Sequence, residues 1–194
     1  MPKRTVEAAD LLALPDYLPR RAQERTRIAE IKKRRRLEVG PFATFYFESW
    51  DTIRHQIQEM LYIEKGGDEQ LADELEAYGP LVPRGGELIA TVMFEIDDPV
   101  RRLAALNRIG GIESHMFLQV GGRQIRGVPD AERENTSPEG KASSVQFCHF
   151  PFDTETVAAF RAEGTQILVG FDHPNYGHIA VMPQPVRAAL AEDL

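Results

Sequence analysis

The chain has 194 residues, 42% of them hydrophobic and 27% charged, with a net charge of -7; this is enough for one well-buried core and excludes a low-complexity or collagen-like polymer. A single cysteine, Cys148, excludes an internal disulfide framework and any all-cysteine metal cluster within one chain. No apolar run approaches the roughly 20 residues of a membrane helix, and Met1-Pro2-Lys3-Arg4 leads into Glu7 and Asp10 instead of an apolar signal core, so a cytoplasmic location is expected.

Residues 1–36 carry 11 Lys/Arg against 5 Asp/Glu, whereas the remainder holds 12 against 25. Thr5 can cap a short helix over Glu7 to Leu14, which Pro15 would end. A second, weakly amphipathic helix is expected from about Arg20 to Arg36, closing on Lys32-Lys33-Arg34-Arg35-Arg36. Residues 1–36 therefore read as a basic helical segment packed on an acidic body, 37–194. The basic run could bind an anionic polymer. Few aromatics interleave it and the acidic body would repel phosphates, so nucleic acid is not the expected partner.

Leu37 to Phe47 reads as strand, turn, strand around Gly40-Pro41. Two helices follow, Trp50 to Glu64 and Asp68 to Tyr78, joined by Lys65-Gly66-Gly67 as an antiparallel hairpin. Leu88 to Ile96 is the strongest strand pattern, apolar on both faces and so expected at the centre of a sheet. Asp98-Pro99 opens a helix to Arg108. Ile112 to Val120 and Arg123 to Val128 are strands flanking the hairpin signal Gly121-Gly122. After an exposed loop, 129–142, come a strand Ser143–Phe152 and a helix capped by Asp153. Strands at Thr165–Phe171 and His178–Met182 then precede a terminal helix from Pro185. Clustered strands favour a single-domain α+β fold with a mostly antiparallel sheet, the helical hairpin and additional N- and C-terminal helices.

No phosphate-binding glycine loop, nucleophile elbow, HExxH or Glu-x-x-His pair is present. Candidates therefore come from placement. At about 100° per residue, Trp50, Ile53, Ile57, Met60 and Leu61 form the buried stripe of one helix, while His55, Glu59 and Tyr62 face outward as a solvated set. Glu64 lies near the middle of the apolar arc, Arg54 at its edge, and Glu48 just before the helix. Glu95 shares a strand face with Ile89 and Met93, where an ionised carboxylate must meet a cation, share a proton or bind a metal; Arg54, Arg101 and Arg102 are its natural ion-pair partners. His173 sits in a turn free to serve a site. Glu113 and His115, spaced i,i+2 on one predicted strand, share a face; with His173 they are the metal-ligand candidates. His149 and Cys148 read as core residues.

Gly40-Pro41 with Thr44 to Glu48, Gln56 to Met60, Gly86-Glu87-Leu88, Phe94 to Asp97, Ser143 to Val145 and Asp172-His173-Pro174 together resemble an uncharacterised bacterial domain-of-unknown-function family over nearly the whole chain. The resemblance implies a gene context beside rubrerythrin and an iron–sulfur oxidoreductase of the heterodisulfide-reductase type, and so a redox or oxidative-stress pathway. It assigns no reaction and fixes no residue.

Two functions are expected in competition. One is a non-catalytic accessory or binding protein whose partners would be rubrerythrin or the iron–sulfur oxidoreductase. The other is an enzyme or metal-binding protein whose pocket gathers Glu48, Glu64, Glu95 and His173, with Arg54 beside it. Its carboxylates would act as acid and base, or hold Fe, Mn or Zn with an imidazole. An edge strand or the N-terminal helix could support a homodimer.

Overall fold

The computed structural model describes residues 3–194, without the Asp68 side chain; Met1 and Pro2 of the expected basic segment lie outside the described residues. A 3₁₀ turn at Ala8–Asp10 precedes the short helix α1 (Leu14–Tyr17) and α2 (Arg21–Lys33). The expected helix over Glu7 to Leu14 is not formed. Proline lacks only an N–H that a first helical turn leaves unused, so Pro15 sits in the opening turn of α1 instead of ending a helix. At the other end, α2 stops at Lys33 and the chain enters β1 (Arg36–Val39). The basic run is thereby split. Lys33 pairs with Glu30, Arg36 approaches Glu38 and Arg35 turns into the protein, while Lys32 and Arg34 stay exposed.

β1 and β2 (Ala43–Phe47) form a hairpin through Gly40. There φ is +75° and a Cβ would fall 2.6 Å from the His178 ring, so only glycine fits without displacement. Ser49 caps α3 (Trp50–Glu64) in a reciprocal box with Thr52. α4 (Gly67–Tyr78) completes the helical hairpin. Then come β3 (Glu87–Phe94), α5 (Pro99–Arg108), β4 (Met116–Val120), β5 (Arg123–Arg126), β6 (Val128–Pro129) and β7 (Val145–Pro151). α6 (Thr154–Arg161), β8 (Ile167–His173), β9 (Tyr176–Val181) and α7 (Gln184–Ala191) end the chain.

The fold is α+β. Its strands form two antiparallel sheets, in the orders β1-β2-β3-β7-β6 and β5-β4-β8-β9, where the sequence suggested one. β3 lies at the middle of the five-stranded sheet and alternation gives it two different environments. Leu88, Ala90, Val92 and Phe94 join the main core with Phe45, Phe150 and Phe171, and with Phe160 of α6 and Leu190 of α7. Burial of each of these side chains larger than alanine contributes about 1.5–3 kcal/mol. Ile89, on the opposite face, packs with Ile53 and Ile57 of α3 and with Leu81 and Val82. Helices therefore cover the Ile89 end of that face.

The outer side of α3 is not solvated as expected. The N-terminal helices lie against it: Glu59 accepts from both Nε and Nη2 of Arg21, each at 2.8 Å, and from the hydroxyl of the fully buried Tyr17 at 2.5 Å. Arg21 also stacks 4.2 Å above the Tyr62 ring. Among the described residues no helix is long and apolar enough to cross a membrane.

Candidate functional site

Strand register builds a row across the helix-facing side of the five-stranded sheet. Tyr46 on β2 pairs with Thr91 on β3, which pairs with Phe147 on β7. Two residues on, the same alternation places Met93 and Val145 on that face. α3 and α4 roof only part of the row. Between Tyr46, Thr91, Met93 and Phe147 of the sheet and Thr52, Gln56 and Tyr78 of the helical side lies a groove of about 300 Å³, with Lys32 of α2 at its rim.

Glu48 lines this groove, immediately before α3. One carboxylate oxygen accepts from the Thr91 hydroxyl at 2.6 Å and the other from the Thr52 hydroxyl at 2.5 Å. Thr52 also accepts from the Ser49 amide as part of the cap, so the helix start itself orients this donor. Arg35 fixes the backbone beneath, donating to the carbonyls of Phe47 and Glu48. Both side-chain partners of Glu48 are neutral hydroxyls. Among the described residues no lysine or arginine closes it with an ion pair, although the group is half-buried.

The other expected site residues do not gather in this groove, although the His115 and His173 rings meet edge to face elsewhere, 5.0 Å apart. β3 ends at Phe94, so Glu95 emerges past the sheet and is exposed instead of lodged beside Ile89 and Met93. Its carboxylate accepts from Thr44 at 2.7 Å and Tyr46 at 2.9 Å. Burial and the Glu95 charge push the Tyr46 phenol above its usual range. None of the expected arginines pairs with Glu95: Arg54 holds Glu24 of α2 at 2.5 Å, and Arg102 donates to the Ile96 carbonyl. Arg101 lines a shallow cavity with Glu95 without a hydrogen bond to it. Glu64 is the last residue of α3, exposed, accepting from Gln70 at 3.0 Å. The helix has by then overrun the element that its apolar arc covers.

His173 belongs to β8, in the other sheet. Its Nδ1 accepts from the Asn175 amide at 3.1 Å, which leaves Nε2 to donate to the Gly110 carbonyl at 3.2 Å. Both nitrogens of a neutral ring are thus occupied by backbone. Glu113 and His115 fall in a 3₁₀ turn, Ile112–His115, and not on a strand, so they do not share a face. Glu113 accepts from Thr136, while His115 pairs with Asp172, itself held by Arg126. Arg126 and His115 keep the Asp172 carboxyl below the usual range. Among the described residues no group of three or more His, Cys, Asp or Glu side chains is placed to hold a metal ion.

Sequence reasoning placed Glu48 among the candidates but missed Tyr46, Thr52 and Thr91. The Ser49–Thr52 spacing is a cap signature and could have identified one donor; Thr91 depends on strand register. A larger cleft, about 550 Å³ between the end of α2 and α7, is lined by the Arg35–Asp193 pair, by Lys3 and Asp51, whose partners Asp10 and Arg27 stand outside the lining, and by Arg4, Arg34 and Glu192, which form no ion pair among the described residues. The groove is taken as the candidate because its carboxylate is oriented by two hydroxyls and, among the described residues, meets no cation in an ion pair.

Residues 5–194 match the family described as Protein of unknown function (DUF3501). A crystal structure of a protein of unknown function from Burkholderia pseudomallei is 38% identical, with a TM-score of 0.91 over 98% of this chain and 99% of that one. Among curated proteins no match was found.

Proposed function

The chain belongs to this family of proteins of unknown function, DUF3501, and from that premise we propose that it is a non-catalytic binding protein whose ligand site is the groove over the five-stranded sheet. The observation that carries this reading is Glu48, a half-buried carboxylate aimed by two threonine hydroxyls into an open space of about 300 Å³. A group so oriented before any ligand arrives lowers the ordering cost of binding. Groups suited to catalysis are committed elsewhere. His173 is held by backbone on both ring nitrogens, and Cys148 is enclosed in the core, where burial raises its thiol pKa.

A fragment library screened by amide chemical-shift perturbation tests the reading. Hits are expected to shift Tyr46, Thr91 and Phe147 and to be lost in Val145→Trp, which fills the groove from β7. Hits that map to other surfaces, or survive the filled groove, would overturn it.

In this reading the protein serves a redox or oxidative-stress pathway in an accessory role, with rubrerythrin or an iron–sulfur oxidoreductase as its partner. Family resemblance is the support for that role. Affinity capture from the native host is expected to recover one of these proteins; recovery of neither counts against the association and leaves the groove's ligand to the first experiment.

A further inference from the structure

We propose that the groove takes a small organic ammonium ion, bound with its charge on the Glu48 carboxylate and its carbon frame against Tyr46, Tyr78 and Phe147. The inference rests on the groove being the ligand site and names the chemistry of the occupant.

Three observations converge. The first is the carboxylate. Glu48 is partly withdrawn from water, and its partners are two hydroxyls and the positive end of α3, none of them a full cation. A carboxylate in that setting gains most from a cation that can reach it, since a full opposite charge offsets its lost hydration and a further hydroxyl does so only in part. An anion would meet repulsion there, and a neutral ligand would remove water without replacing it. The second is the walls. Tyr46, Tyr78 and Phe147 present aromatic surface to the same space, and the negative face of an aromatic ring attracts cations. Tyr78 and Phe147 share their ring surface with a fixed cation, the Arg133 guanidinium, 5.4 Å from the first ring and 4.3 Å from the second, so Tyr46 is the wall without a resident charge among the described residues. The third is size. A cavity near 300 Å³ is at the lower end for small-molecule sites and suits an amine carrying one ring or a short chain.

Lys32 at the rim acts against this ligand. It is exposed, so water satisfies its charge, and it contributes repulsion to an incoming ammonium. Its removal should therefore strengthen binding, the opposite of what loss of a contact residue does.

The test compares 2-phenylethylamine, 2-phenylethanol and 3-phenylpropionate on the full chain at neutral pH, followed by amide shifts and calorimetry. The amine is expected to bind about tenfold more tightly than the alcohol, and the acid more weakly than both. Glu48→Gln keeps an acceptor for one threonine and offers an amide to the other. It should bring the amine down to about the alcohol's affinity, so that the preference for the amine disappears. Lys32→Ala should tighten the amine about two- to threefold. Equal binding of amine and alcohol to the unaltered protein, or amine binding indifferent to Glu48→Gln, would overturn the ammonium assignment while leaving the groove as a site. Absence of groove shifts with all three probes would overturn the groove reading itself.

Discussion

At the scale of single residues, enclosure decides what a reactive group can do. Cys148 is 1% exposed and burial pushes its thiol pKa up, so the nucleophilic thiolate is not available at neutral pH. Iodoacetamide is expected to leave the native protein unmodified for as long as the urea-unfolded chain takes to alkylate fully, as read by intact mass. An adduct on the folded protein would contradict the enclosure. Gly110 shows the same constraint in the backbone. A Cβ there would fall 2.1 Å from the Gly140 carbonyl oxygen, and the Gly110 carbonyl is the acceptor for His173. Gly110→Ala must therefore displace the loop between β6 and β7 or the His173 turn, at a cost of about 1–3 kcal/mol. Urea denaturation measures it, and an unchanged midpoint would show that the loop yields freely.

At the scale of elements, the clasp between α3 and the N-terminal helices is built from groups that titrate. His55 is half-buried with Nδ1 unpartnered, and desolvation lowers its pKa from the ordinary 6.5. The unfolded chain therefore takes up this proton first, and stability is lost as pH falls from about 6.5 toward the depressed value. Glu59, held low by Arg21 and Tyr17, contributes stability above its ordinary 4.5 that is lost as pH falls through its lowered value. Acid should loosen the clasp in two stages. Trp50, the single tryptophan, donates to the Thr5 carbonyl and so reports docking of this segment. Its fluorescence is expected to change first below pH 6.5 and again below 4.5, with the lower stage absent in Glu59→Gln. A single transition common to both proteins would dismiss the clasp as acid-sensitive. The same element shows how far sequence reaches. Periodicity placed α3 and its buried stripe, because it is a local signal. Glu64 and Glu95 were assigned to the interior because their directions are right. Direction, however, says nothing of where the covering element stops, and each lies just beyond that edge. Thr91 could not be tied to Glu48 before the register of β2 on β3 was known.

At the scale of the whole molecule, one arginine from the basic run ties the C-terminal end of the chain to the groove. Arg35 is 5% exposed and donates to the carbonyls of Phe47, Glu48 and Ala189, while pairing with Asp193. It thus joins the end of β2, α7 and the backbone beneath Glu48. From sequence this basic segment is expected to pack on the acidic body, but the partner of Arg35, which lies 158 positions away, cannot be named. Arg35→Met would leave the Asp193 carboxylate and three carbonyls without their donor, and breaking one side of a buried pair costs about 3–5 kcal/mol. Adding Asp193→Leu removes the stranded charge, so the double variant should recover part of that loss and reveal the coupling. The main core runs without a break from the five-stranded sheet through the four-stranded one to α6 and α7. Unfolding of Arg35→Met is therefore expected to remain one cooperative transition at a lower urea midpoint, coincident by circular dichroism and Trp50 fluorescence. An early separate phase would mean instead that α7 and the chain end detach as a unit of their own, and that Arg35 fastens a peripheral element without supporting the groove.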